Sequence, residues 1–249
     1  MQVVSHSCVA PGVWQMELTG PFAYGAVQPG QFLQVLVGNG QTHVLRRPIS
    51  IGHVCSLQER LTLVYKVVGR GTHELSQLKA GTVVDVLGPL GQGYPLPQAS
   101  EDVVVFGGGL GIPPLRQLVE ALHDAGNRVH VILGWASGQD AFWIEHFSRC
   151  AEQVIPATDD GTLGVHGTVI DAAGQLSTIG QRVYACGPKP MLYAVQQWAA
   201  AAGIPAWISL EERMACGVGA CTGCVCQTTS GMQRVCADGP VFRADEVIL

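Results

Sequence analysis

The sequence predicts three consecutive pieces: an antiparallel β-barrel over residues 1–97, a parallel-sheet α/β domain over 98–209, and a small cysteine-rich segment over 210–249. Three observations predict this. Short alternating apolar runs broken by turn residues fill the first hundred positions. Buried-strand and helix patterns then alternate, as in a parallel sheet with helices on its faces. Finally, five of the nine cysteines crowd into residues 216–236.

The barrel rests on runs such as QFLQVLV (31–37), LTLVYKVV (61–68) and TVVDVLG (82–88). Turn signals separate them: PG at 29–30, GNG at 38–40 and AG at 80–81. The stretch YPLPQAS (94–100) reads as a linker. In the second piece, EDVVVFGG, RVHVILGW, EQVIPAT, QRVYACG and IPAWISL are short strand candidates. PPLRQLVEALHDAG and PMLYAVQQWAAAAG read as helices between them. In the first of these, Leu115, Leu118, Val119 and Leu122 recur at helical spacing and Gly126 is a stop.

Composition narrows the function. Apolar residues make up 47% of the 249-residue chain and charged residues only 13%, about half the usual share. So little charge fits a surface partly covered by a partner subunit, and equally an Ala/Gly-rich monomer. No apolar run approaches the roughly 18 residues that span a bilayer, and the start of the chain lacks a secretory pattern. A net charge of −5 without a Lys/Arg cluster argues against a nucleic-acid surface. The expected compartment is the reducing cytoplasm, where clustered cysteines point to metal or redox chemistry more than to disulfides.

The cluster runs Cys216-x4-Cys221-x2-Cys224, with Cys236 eleven residues further on. The first three match the spacing of plant-type [2Fe–2S] proteins, and Gly217, Gly219 and Gly223 let the backbone wrap closely around such a group. Structural zinc also takes four thiolates, but it favours two close CxxC pairs and only one is present here. Cys226 is a rival for one ligand position. Its alternative role is that of a small buried hydrophobe. Cys236 is the better fourth ligand, because Gly231 permits a reversal that carries it back across the cluster as in a hairpin.

Three further motifs suggest nucleotide cofactors. RRPISI (46–51) offers the Arg47 guanidinium to a phosphate and the Ser50 hydroxyl to a ring edge. In YKVVGRGTHEL (65–75), Gly69, Gly71 and Thr72 are placed to bring backbone N–H groups to a pyrophosphate. GGGLGIPPL (107–115) is a glycine-rich strand-to-helix turn with Gly107, Gly109, Gly111 and Pro114 in a G-x-G-x-G-x-x-P pattern, though Ile112 breaks the dinucleotide fingerprint. YACGPKPML (184–192) lies at another strand end. Cys186 there is either core packing or, since ligands sit beyond the carboxyl ends of such strands, part of the site.

In this order RRPISI, GRGTHEL, GGGLGIPPL and ACGPKPML resemble the ferredoxin–NADP reductase superfamily. The tail SLEERMACGVGACTGCVCQT…VCADGPVF resembles the electron-transfer subunits of NAD-linked (type B) dihydroorotate dehydrogenases, and the resemblance spans the whole chain. It implies bound FAD, one [2Fe–2S] cluster and NAD as electron acceptor. It also implies a catalytic partner that carries FMN and oxidises dihydroorotate in pyrimidine biosynthesis, in a heterotetramer of two subunits of each kind. Electrons would pass from FMN through the cluster to FAD and then to NAD⁺.

Carried over by motif, Arg47, Pro48, Ile49 and Ser50 hold the flavin and its phosphate. Val64, Tyr65 and Lys66 form the strand beside it, and Gly71 and Thr72 meet the pyrophosphate. Gly107, Gly108, Gly109 and Gly111 face the nicotinamide dinucleotide, Cys186 lies near the reacting ring, and Cys216, Cys221, Cys224 and Cys236 ligate the cluster. No nucleic acid and no membrane is expected as a partner. Two rivals stay open. One is a flavin and iron–sulfur subunit of an NAD(P)H:ferredoxin or sulfide oxidoreductase, in which an aspartate can replace one cluster cysteine. The other is a zinc-stabilised, non-enzymatic binding module.

Overall fold

The computed structural model describes residues 1–38, 40 and 43–249. The GNG turn expected at 38–40 includes Asn39, which lies outside the described residues. Strands β1 (Gln2–Ala10), β2 (Val13–Thr19), β3 (Phe32–Val35), β4 (Arg47–Cys55), β5 (Arg60–Lys66) and β6 (Val86–Leu90) form an antiparallel sheet in the order β1-β2-β5-β4-β3-β6. Its ends meet where Met1 and Val3 exchange backbone hydrogen bonds with the segment 81–84, so the sheet closes into a barrel and loses its open edge. Inward residues such as Met16, Leu18, Leu33, Leu61 and Leu63 fill the centre. Between β5 and β6 the sequence GRGTHEL, expected as a glycine turn, forms the short helix α1 (Arg70–Ser76) with Gly69 as its N-cap.

The second unit contains β7 (Asp102–Gly108), α2 (Pro113–Asp124), β8 (Arg128–Trp135), α3 (Ile144–Phe147), β9 (Gln153–Thr158), β10 (Val165–His166), α4 (Val169–Ala173), β11 (Arg182–Cys186), α5 (Lys189–Ala202) and β12 (Ala206–Ser209). Its sheet runs β10-β9-β8-β7-β11-β12 with every one of these pairings parallel. Alternation explains the continuous apolar run of β7. Val103 and Val105 pack with Leu115, Leu118 and Leu122 of α2, while Val104 and Phe106 face Leu192 and Val195 of α5.

The cysteine-rich segment has a hairpin, β13 (Val225–Thr228) with β14 (Gly231–Arg234). The chain then returns as β15 (Val241–Arg243), which pairs antiparallel with β12 and becomes the seventh strand of the second sheet. Local pattern did not signal this union, because the two strands are joined only through the whole cysteine loop. The linker also differs from a free spacer. Tyr94 is buried, donates its hydroxyl to the Ala185 carbonyl at 2.9 Å and packs edge-on against Tyr184. Barrel and α/β unit meet along α2 and β4, where Glu120 pairs with His53 across the boundary at 3.2 Å. Among the described residues, no helix is long and apolar enough to cross a membrane.

Candidate functional site: a flavin cleft beside a thiol loop

A chain of openings runs where barrel, α/β unit and tail meet. A cavity of about 350 Å³ is lined by Arg47, Pro48, Ile49 and Ser50 of β4, Val64, Tyr65 and Lys66 of β5, and Thr72. Two neighbouring hollows of about 680 and 380 Å³ continue it, and Arg47 lines all three. All seven β4 and β5 residues singled out in the sequence are therefore gathered at one cleft, as are Gly71 and Thr72.

Ile49 turns into the barrel core while Pro48 and Ser50, on the opposite face of the pleat, stay partly open, as does Arg47 at the start of the strand. Tyr65 likewise turns inward. Its hydroxyl meets His6 Nε2 at 2.8 Å, and burial raises its pKa. Arg46 is held by both oxygens of Asp85, at 3.0 and 2.9 Å. Arg47 pairs with no carboxylate among the described residues; it touches only the Leu45 carbonyl and His43 Nδ1. One arginine is thus committed to the fold and the other keeps its charge for an anion. An elongated flavin dinucleotide fits this run of openings.

Several lining residues had not been singled out in the sequence: Phe32, Leu110, Ser209, Leu210, Glu211, Glu212, Met214 and Pro240. Ser209 ends β12 and residues 210–212 directly follow it, and the carboxyl end of a parallel strand is where an open α/β sheet places ligands. That rule was the available signal. Glu211 opens onto the cleft, yet the protein around it raises its pKa. Glu212 is paired with Lys189 at 2.5 Å.

On the α/β side, Gly107 and Gly108 end β7 and a tight turn carries Gly109 to Gly111. A side chain on Gly111 would collide with the backbone at Cys186, and one on Gly108 with Met191. Leu110 reaches the flavin cleft, while Gly107, Gly108 and Gly111 are buried. Cys186 is 1% exposed and is not among the cleft residues. Burial raises its pKa, and across the paired strands it lies opposite Ser209, which does line the cleft.

The thiol loop packs against Gln34 of the barrel at Gly217, the residue after Cys216. Cys221 helps lower the pKa of Cys216, and Cys224 helps raise that of Cys236. The hairpin joins the latter two: Val235 N–H donates to the Cys224 carbonyl at 2.9 Å and Cys236 N–H to Cys224 Sγ at 3.4 Å. Backbone N–H groups also point at sulfur, Val218 to Cys216 at 3.4 Å and Gly219 to Cys236 at 3.1 Å. Donation from Val218, then from Cys221, holds the Cys216 thiol down at about 6, whereas burial pushes Cys236 up to about 11. Arg234 fixes the loop. Its Nη1 donates to the Gly219 carbonyl at 3.1 Å while Nε and Nη2 fork onto Asp238 at 2.9 and 2.8 Å.

Among the described residues, no three Cys, His, Asp or Glu side chains converge on a point able to hold one metal ion. Four thiols on one loop, with the backbone of Cys236 tied to Cys224 Sγ across the hairpin, suit a two-iron cluster. Tetrahedral zinc needs all four sulfurs about 2.3 Å from a single centre. Cys226, on the hairpin opposite Gln233, packs instead against the core below.

A barrel joined to a parallel α/β unit, with a flavin cleft between them and a thiol loop beside it, defines a ferredoxin reductase-like electron-transfer protein. Residues 211–248 match the iron-sulfur cluster binding domain of dihydroorotate dehydrogenase B. The chain is 43% identical to the dihydroorotate dehydrogenase B (NAD(+)) electron transfer subunit of Shouchella clausii, over all of this chain and 97% of that one. It is 42% identical to the subunit of the same description from Geobacillus kaustophilus, over all of this chain and 98% of that one. Among solved structures, an NADH-dependent reduced ferredoxin-NADP oxidoreductase superposes with a TM-score of 0.90 at 30% identity, covering 99% of this chain and 89% of that one. Phthalate dioxygenase reductase shares the fold, with a TM-score of 0.64 at 19% identity over 92% of this chain and 86% of that one. The chain belongs to the family of dihydroorotate dehydrogenase B electron transfer subunits.

Proposed function

We propose that this chain carries electrons from a dihydroorotate-oxidising, FMN-containing partner to NAD⁺, as one of two electron-transfer subunits in a heterotetramer. The observation that carries the reading is the meeting of Pro48 and Gln34, on adjacent strands, with the thiol loop on one side and the cleft on the other. Flavin and cluster sites are then neighbours. Bound FAD exchanges hydride with a nicotinamide and single electrons with a cluster, which makes it the converter between the two.

Each residue acts by holding and shielding. Arg47 offers its guanidinium to the flavin phosphates, beside Gly71 and Thr72. Pro48, Ser50, Val64 and Lys66 border the ring, and Leu110 closes the cleft from the α/β side. Gly109 and Leu110 are the open part of the turn from Gly107 to Gly111, where the dinucleotide would approach. Cys186 supports Ser209 from behind. Cys216 with Cys221 would bind one iron, and Cys224 with Cys236 the other. No acid or base for the carbon chemistry is needed in this chain, because that chemistry belongs to the partner.

The flavin-loaded and cluster-loaded chain is expected to reduce ferricyanide with NADH and to leave dihydroorotate untouched until an FMN-containing partner is added. Dihydroorotate turnover by this chain alone would defeat the reading. The kinship with a reduced ferredoxin-NADP oxidoreductase keeps a second reading in view, with ferredoxin as donor. A ferredoxin that replaces the FMN partner in restoring NAD⁺ reduction would favour it.

A further inference from the structure

Gln34 is the one glutamine of the barrel that is 0% exposed, and its carboxamide has no hydrogen-bond partner on either Nε2 or Oε1 among the described residues. Such a group is costly wherever both its donor and its acceptor go unmet in a protein interior. Packing alone would be served better by Leu or Met at this site. The surroundings show where the amide points. A Cβ built on Gly217 would stand 2.5 Å from Gln34 Nε2 and 2.6 Å from its Cγ. Gly217 takes a φ of +72°, which suits glycine, and directly follows Cys216. The cluster loop has therefore given up a side chain at the place where the Gln34 amide presses against it.

The strand supplies the other half of the geometry. Gln34 lies opposite Pro48 on β4, and Phe32, two residues earlier on the same face of β3, lines the flavin cleft as Pro48 does. Gln34 is thus placed between the flavin cleft and the thiol loop. Its main chain is held as well, since the Gln34 carbonyl accepts from Arg46 at 3.4 Å. Neither the GGGLG turn nor the cysteine spacing points to this residue.

We propose that the Gln34 carboxamide donates an N–H hydrogen bond to the sulfur of the [2Fe–2S] cluster from the barrel side. This rests on the assignment of Cys216, Cys221, Cys224 and Cys236 as its ligands. An N–H donor stabilises the more negative, reduced state of a cluster and so raises its reduction potential. Gln34 would then set how readily the cluster accepts electrons, alongside the backbone N–H groups of Val218 and Gly219 that point at Cys216 and Cys236 Sγ.

The test uses the whole chain with FAD and cluster bound, labelled with glutamine carrying ¹⁵N in the side-chain amide. Pulsed EPR of the reduced cluster is expected to show a ¹⁵N coupling that disappears in Gln34→Leu. In a potentiometric titration the same variant should shift the oxidised-to-reduced ratio of the cluster at fixed poise about tenfold towards oxidised, ~59 mV for a one-electron couple. The flavin midpoint should stay in place. If Gln34→Leu does not load, Gln34→Glu, which keeps the shape and loses the donor, is expected to shift the cluster the same way. A cluster signal with no ¹⁵N coupling, a coupling that survives Gln34→Leu, or an unchanged cluster midpoint would each overturn the proposal while leaving the ligand assignment standing. A wild-type chain with no cluster signal at all would strike the ligand assignment, and this inference with it.

Discussion

Gly71 leaves the space that Arg47 occupies: a Cβ on Gly71 would stand 2.6 Å from both Nε and Nη2 of that guanidinium. Gly71→Ala should therefore displace Arg47, a cleft arginine that pairs with no carboxylate among the described residues. A charge-assisted hydrogen bond is worth about 1.5–3 kcal/mol, so FAD is expected to bind at least about tenfold more weakly. Gly69→Ala is the control, because a Cβ there meets nothing within 4 Å. Fluorescence titration of the flavin-free chain compares the two. Equal FAD affinity in Gly71→Ala and wild type would remove Arg47 from the phosphate site.

Cys236→Ala should lose the visible iron–sulfur spectrum while FAD remains in the barrel. Cys226→Ala should keep both. The hairpin sets this contrast, since it brings Cys236 N–H to 3.4 Å from Cys224 Sγ and turns Cys226 onto the core. Absorbance spectra and iron content of the two variants decide it. A cluster that survives the first change and vanishes with the second would reverse the assignment.

NADH should be used with higher kcat/KM than NADPH. A 2′-phosphate needs a basic partner near the end of the second strand of the nucleotide domain. There the sequence reads GWASGQD, without Lys or Arg, and Asp159 and Asp160 lie at the end of the third. Asp160 stays ionised, its pKa held at about 2 by the Thr162 hydroxyl and N–H. Of the two nearest bases, Lys189 is engaged with Glu212. Comparable efficiency with the two nucleotides would point to Arg149 as an unforeseen phosphate partner.

Glu101 and Arg182 form a two-point ion pair, at 2.7 and 3.0 Å, that fastens the end of the linker to β11. The Arg182 hydrogen bond lowers the Glu101 pKa. A carboxylate with a depressed pKa stabilises the fold above its unfolded value, about 4.3. That contribution is lost as pH falls through the lower folded value. Glu101→Gln should cost about 1 kcal/mol at pH 7, roughly 2–4 °C in Tm for a chain of this size. The gap should close in acid. A Tm difference that holds constant from pH 7 to pH 3 would show that the pair's charge is not what matters.

Much of the site could be read locally. RRPISI announced an arginine and a hydroxyl on one strand, and pleating puts Pro48 and Ser50 on the side away from Ile49, whereas Arg47, two residues before Ile49, stays partly open only because it begins the strand. The x4, x2 spacing of Cys216, Cys221 and Cys224 announced a cluster loop. Helix α2 was legible because Leu115, Leu118, Val119 and Leu122 recur with the helical period. Other features were not legible. GRGTHEL looked like a turn, because Gly69 and Gly71 count against a helix until Thr72 binds back to the amides of Val68 and Gly69. Tyr94 looked like part of a spacer, because its partner carbonyl lies 91 residues away at Ala185.

By itself the sequence determined the order of the three pieces, the clustering of the thiols and the β4 and β5 residues that meet at one cleft, because short periods and short spacings write these into neighbouring positions. The tertiary structure decided what distant segments do to one another. It laid β15 against β12, tied Cys236 to Cys224 across the hairpin, and pressed Gln34 against Gly217. Each of these depends on which faces are buried together when the chain closes, and burial against a remote partner leaves no period in the sequence.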